Sequence, residues 1–447
     1  MKRIKKSLCC IAILAILLAM SGPGLASAPE IEQANALMAQ GDITGAIAIL
    51  EAYVSASEQN NNPDIWEGYQ NLGIALAATG KYEEASRNLI TAKSELEVLK
   101  KPTDVVDFFM GTMYVEQGKI ADAITAFQNA ALANPENVEA QNALGLAYLQ
   151  TGQPALAAGA LQAAVDNGAN SVKILNALAS AYVANNQLDL AEKTLYKALA
   201  IAPNDPDVTL GLVTVIKTQA NELQAKGETQ AAKDKFNQIL TPPPGQTDSL
   251  ADLALEANKN SDANVVGQIE LAKGQAMVKT TTDPAKLEEA IQILEAAKTK
   301  LDGQDVLEAT ILESQSQIQL ANQIAATDPE KAQQLMAAAL ANINEVINDP
   351  SVQDKAMLIS SSLATEISQT ADALNNLEPT LKTDETDAAS DNAGKALTDK
   401  KVETTQPILP PPPLPPKASD FTGPSETGPV CKTITCSNTG RTEVVCD

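Results

Sequence analysis

Apolar side chains return along the chain at helical steps of three and four, in blocks separated by short polar runs that hold Gly, Asn or Pro. The pattern predicts amphipathic helices in consecutive pairs. The blocks also repeat. Met110-Gly111-x-x-Tyr114, Leu144-Gly145-x-x-Tyr148 and Leu178-Ala179-x-x-Tyr182 recur every 34 residues. Twelve residues after each Gly or Ala comes a second motif, Ala123-x-x-x-Phe127, Ala157-x-x-x-Leu161 and Ala191-x-x-x-Leu195. Small residues at the paired positions let two helix backbones approach, and the tyrosines fill the space beside them. The turns between the paired helices carry Gly80-Lys81, Gly118-Lys119, Gly152-Gln153 and, in the next unit, Asn185-Asn186. These are residues that end a helix in the left-handed conformation at low cost. One such hairpin cannot bury its apolar face alone, so stability must come from stacking on its neighbours.

The 34-residue period and its spaced Gly, Ala, Tyr and Leu positions resemble the tetratricopeptide repeat family. Pro135 and Pro203 close two of the units. An earlier unit, Tyr69-x-x-Leu72-Gly73-x-x-Leu76 with Ala85-x-x-x-Leu89, stands 38 residues before the next because the Lys100 to Thr103 region is lengthened. A degenerate first unit (Ala34, Leu37, Ala46, Leu50) and a sixth (Ala220, Leu223, Ala232, Phe236) complete about six repeats over residues 29–244. The fold class expected is all-α, an α-solenoid of tetratricopeptide-type hairpins, with a core built on Ala and Leu in a chain only 3% aromatic.

Residues 245–378 read as divergent helical hairpins. Thr282-Asp283-Pro284 and Thr327-Asp328-Pro329 are good helix starts, since Asp caps the first turn and Pro sits where no donor is needed. A last helix is expected around Val352 to Leu377. A rival reading makes Val266–Leu271 and Gly274–Val278 two short strands, a stretch that resembles the opening of FecR-type β-rich periplasmic domains. Residues 379–430 are polar, with Pro410–Pro413 and Pro415-Pro416, and read as a disordered proline-rich spacer. The tail, 431–447, reads as a small hairpin in which Thr433–Thr435 and Thr442–Val445 flank Asn438-Thr439-Gly440.

The N-terminus changes the picture of where this body works. Lys2, Arg3, Lys5 and Lys6 precede the apolar run Leu8 to Met20, which is too short to span a bilayer and ends at Gly22-Pro23-Gly24. Residues 1–28 thus read as a signal peptide, cut after Ala26 or Ala28. Pro29 disfavours the second site. Cys9 and Cys10 lie too early in the run for lipidation. The expectation is an exported protein, periplasmic or secreted, with no stable membrane span after cleavage. Only Cys431, Cys436 and Cys446 remain then, an odd number of disulfide candidates, which leaves one thiol free or paired with another chain. The formal net charge of −24 would repel nucleic acid and suits basic partners.

The chain has no histidine. That removes histidine triads and histidine metal sites, and no phosphate-cradling loop, dinucleotide fingerprint or Cys-x-x-Cys pair is present. Carboxylate pairs such as Glu83-Glu84 and Glu288-Glu289 read as solvated faces. No catalysis, cofactor or metal is expected. The family resemblance implies instead a groove lined by the first helix of each repeat, which binds an extended peptide or partner helix. Carried over position by position, it presents Gln70 and Ile74, then Phe108, Thr112 and Val115, then Asn142, Leu146 and Leu149, then Asn176, Ser180 and Val183. The same residues could instead pack on neighbouring helices. The basic clamp of relatives that hold an acidic C-terminus is not here, since Lys173 is a single cation where two or three are needed. The function expected is an exported scaffold that binds proteins or peptides. The alternative is a structural envelope protein, cross-linked through its tail cysteines.

Overall fold

The computed structural model describes residues 28–349 continuously, the helical positions 369, 370, 373, 386, 388, 389, 391 and 392, and two short strands. Its contacts divide the chain into two units, with the division after Gln187.

In the first unit the helices are α1 (Pro29–Ala39), α2 (Ile43–Gln59), α3 (Ile65–Ala78), α4 (Tyr82–Val98), α5 (Asp104–Glu116), α6 (Ile120–Ala133), α7 (Val138–Gln150), α8 (Pro154–Asp166) and α9 (Val172–Ala184). Each helix packs on the next, and α3, α5, α7 and α9 also touch in sequence as the inner row. This is the stacked-hairpin solenoid that the period predicts. The approach within each pair is set by the small residues. A Cβ on Gly145 would lie 2.5 Å from Cγ of Leu161 and 3.2 Å from the carbonyl oxygen of Ala157, and one on Gly111 would lie 2.5 Å from the Phe127 ring. Asn186 takes φ 56° at the turn where earlier units have glycine, as its tolerance of the left-handed region allows.

Polar links hold successive hairpins together. The Gln128 side-chain amide donates to the Tyr148 hydroxyl at 2.6 Å, and 34 residues later the Tyr182 hydroxyl donates to Gln162 at 2.7 Å. Both tyrosines are buried. Lys93 on α4 reaches the buried Asp107 on α5 at 2.7 Å. The lengthened turn between α4 and α5 brings Lys101 back over the Trp66 ring, 4.7 Å from its centre, and 3.4 Å from Asp64.

The second unit holds α10 (Leu188–Ile201), α11 (Pro206–Ala225), α12 (Thr229–Leu240), α13 (Leu250–Ala257), α14 (Ala263–Thr280), α15 (Pro284–Lys298), α16 (Gly303–Ile324) and α17 (Pro329–Asn348). The Asp-Pro starts behave as expected. Asp283 accepts from the Ala285 amide at 3.0 Å and Asp328 from the Lys331 amide at 3.1 Å, and Asp205-Pro206 opens α11 in the same way. The two-strand reading of 266–278 is overturned, because that stretch lies within α14. Gly267 and Gly274 serve there as close-approach points, with a Cβ on Gly274 falling 2.6 Å from Leu294. The apolar core of this unit runs through Leu271, Met277, Ala290, Leu294, Ala309 and Leu312.

Strands β1 (Thr433–Thr435) and β2 (Thr442–Val444) pair antiparallel, Thr433 opposite Val444, as the tail's pattern predicts. The expected disordered spacer from 379 is corrected at its start, because positions 386, 388, 389, 391 and 392 are helical and Ala389 is buried in a cluster with Ile318, Ala332 and Met336. The signal peptide up to residue 27, most of the expected last helix, residues 393–430 and Cys431, Cys436 and Cys446 lie outside the described residues.

Candidate functional site

The inner row of the first unit is the face on which the sequence places a groove. On α7 the residues Ala143, Leu144, Gly145, Ala147 and Tyr148 turn inward to the core and are buried, while Asn142, Leu146 and Leu149 share the other face and are half-buried. Asn176, Ser180 and Val183 on α9 and Thr112 and Val115 on α5 are half-buried in the same way. Two of these spend their hydroxyls on their own helix, Thr112 to the Phe108 carbonyl at 3.0 Å and Ser180 to the Asn176 carbonyl at 2.9 Å.

The other three assigned residues are placed in the core. Phe108 is 1% exposed, with its ring 5.5 Å from that of Phe109 in an edge-on arrangement and 5.8 Å from that of Phe127. Three rings that meet beside Gly111 bury more apolar surface together than one ring offers a ligand. Ile74 and Gln70 on α3 are buried as well. Of the positions expected to line a groove, the half-buried ones therefore lie on α5, α7 and α9, and no aromatic ring is among them.

One group on this face was not singled out in the sequence. Glu139 stands in the first turn of α7, three residues before Asn142 and so on the same helix face. It is half-buried, and burial pushes its carboxyl above the usual range, with a backbone hydrogen bond acting weakly the other way. Beside it, Oδ1 of Asn142 is occluded and accepts no hydrogen bond. The signal was legible as a carboxylate one turn ahead of an assigned groove amide. Glu67 and Glu116 are raised by burial too, but Lys101 acts on the first and the Tyr82 hydroxyl donates to the second at 3.2 Å.

The second unit's interior differs. Its helix α16 buries Glu308, Glu313, Gln315 and Gln317. Lys217 on α11 reaches Glu308 at 3.0 Å, Lys298 on α15 reaches Glu313 at 2.7 Å, and Lys279 on α14 donates to Gln315 at 2.8 Å. Gln317 and Asn342 also donate to Glu313. Here carboxylates are not solvated faces but members of satisfied internal pairs, and these side chains are engaged with one another. Glu83 and Glu84 on α4, in contrast, are exposed as expected.

Among the described residues no cluster of carboxylates or thiols is arranged to hold a metal ion, and no helix is long and apolar enough to cross a membrane. The stacked hairpins with an inner helix face define a class, the helical-repeat proteins. The family of the matched part follows from the residues: the tetratricopeptide repeat model matches 31–86, 110–172 and 148–206, and these residues are tetratricopeptide repeats. No curated protein sequence matches it. Among solved structures it is similar to the C-terminal part of a tetratricopeptide repeat protein from Cytophaga hutchinsonii, at 15% identity over 62% of this chain and 98% of that one, TM-score 0.43. It is also similar to a tetratricopeptide repeat protein from Parabacteroides merdae (20% identity, 64% and 97% covered, TM-score 0.35). A third similar structure is YrrB, described as a tetratricopeptide repeat protein with an unusual peptide-binding site (14% identity, 48% and 96% covered, TM-score 0.35).

Proposed function

We propose that the protein is an exported, non-catalytic scaffold that holds an extended segment of another protein along the inner face of α5, α7 and α9. The observation that carries this reading is the row of half-buried side chains at Val115, Asn142, Leu146, Leu149, Asn176 and Val183, apolar groups interleaved with amides on adjacent helices. Such a face suits a ligand that buries alternate side chains while the amides bond its backbone. The absence of histidine in the sequence supports a non-catalytic role, and the basic, then apolar, N-terminus supports export.

A photo-crosslinking amino acid placed at Leu149 or Val183, compared with one at the outer, 79% exposed Leu132, tests the binding face in the producing cells. Protein adducts should form from the inner positions and not from Leu132. Equal adducts from all three positions would remove the assignment. N-terminal sequencing of the processed chain tests export, with Ser27 or Pro29 expected as the first residue.

A further inference from the structure

We propose that Cys431 and Cys446 close the C-terminal hairpin as a disulfide, and that Cys436 is its free thiol. The assignment follows from the register of β1 and β2. Thr433 stands opposite Val444, Ile434 opposite Glu443 and Thr435 opposite Thr442. One step outward along the same register sets Lys432 against Val445, and a second sets Cys431 against Cys446. Residues two apart on a strand share a face, so both cysteines fall on the face of Thr433 and Val444. Opposed residues of an antiparallel pair keep their Cα atoms about 4.5 to 5.5 Å apart, within the range of about 4.4 to 6.8 Å that a disulfide spans. The other two pairings fail on the same geometry. One step inward sets Cys436 against Arg441, which gives it no thiol across the hairpin. The extended residues Thr433–Thr435 hold Cys436 roughly 10 Å or more from Cys431, and Cys446 stands opposite the Cys431 end of that stretch. An odd number of steps also turns Cys436 to the other face of the hairpin. A two-stranded hairpin is marginal alone, and this bond would tie its open end. The step rests on the export reading above, because it needs an oxidising compartment. One thiolate attacks the disulfide of an oxidant of the thiol–disulfide exchange class, and the second displaces that oxidant, which leaves as a dithiol with the two electrons and two protons. Cys436 then remains as the thiol through which the tail can bond another chain.

The test maps the bond in the full chain. Protein from the producing cells is treated with N-ethylmaleimide to block free thiols, and its monomer band from a nonreducing gel is digested with trypsin without reductant. Cleavage after Lys417, Lys432 and Arg441 puts each cysteine on its own peptide, 418–432, 433–441 and 442–447. Mass spectrometry should find 418–432 joined to 442–447, and 433–441 carrying the maleimide. A bond from 433–441 to either of the others would overturn the proposal. If all three peptides carry maleimide, the reduced chain is equilibrated with a mixture of reduced and oxidised glutathione and mapped again. A bond from 418–432 to 442–447 would then uphold the pairing and remove the export reading. Any other bond, or none, would overturn the pairing itself.

Discussion

At the residue scale, burial decides what each inner-face side chain can do, and Phe108 and Glu139 show the two outcomes. Phe108→Ala would open a cavity among three rings and should cost about 3 to 5 kcal/mol of stability, read as a lower urea midpoint. A midpoint unchanged by this substitution would return Phe108 to the groove. Glu139 behaves in the opposite sense. Its folded-state proton affinity is raised, so ionising it opposes folding: the penalty is absent below the unfolded value of about 4.3 and complete above the folded one. Glu139→Gln should therefore raise the urea midpoint at pH 7 and leave it unchanged near pH 3.5. Position in the repeat was legible for both residues. Which of two apolar-looking positions meets a second and third ring was not, because that depends on Phe109 and Phe127 converging beside Gly111 in three dimensions.

At the element scale, the paired small residues set how closely helices meet. Gly145→Leu would drive a side chain into Leu161 and the Ala157 carbonyl, and overpacking of this kind costs about 1 to 3 kcal/mol. The loss should appear as a lower thermal midpoint by circular dichroism at 222 nm, and an unchanged midpoint would mean that α7 and α8 do not meet there. Tyr148→Phe tests the polar link to Gln128 and should cost about 1 kcal/mol. The hairpins of residues 31–206 and the Asp-Pro starts could be read from the chain because spacing and capping are local. The buried polar set on α16 could not. Glu308 and Glu313 look like any surface carboxylate until Lys217 and Lys298 arrive from helices far away in sequence. The strand reading of 266–278 failed for a related reason: Gly267 and Gly274 punctuate the sequence like turns, but in α14 they make room for Leu301 and Leu294.

At the scale of the whole molecule, burial of carboxyl groups has a sign. Glu67, Glu116, Glu139, Asp207 and Asp305 are all shifted upward, burial being the largest cause in each, whereas Asp252 is lowered against its own burial by the hydrogen bonds from Lys273 and Ser249. Groups raised in the folded state bind protons more tightly there, so stability should grow as pH falls from 7 toward 5, while the formal charge of −24 also begins to relax. A thermal midpoint that falls over this range would contradict the balance. The bond from Gln128 to Tyr148 and that from Tyr182 to Gln162 span the same 20 residues, one period apart. Residues 135–168 make up one such period, and taking them out would leave Gln128 the same distance in sequence from Tyr182. The hairpins of the first unit are in this sense interchangeable parts with a common fitting, although the bond from Asn137 to the buried Asp104 would leave with the module. A deletion of 135–168 should yield a soluble, helical protein whose groove is one helix shorter, in which ligand length becomes something that is counted in repeats.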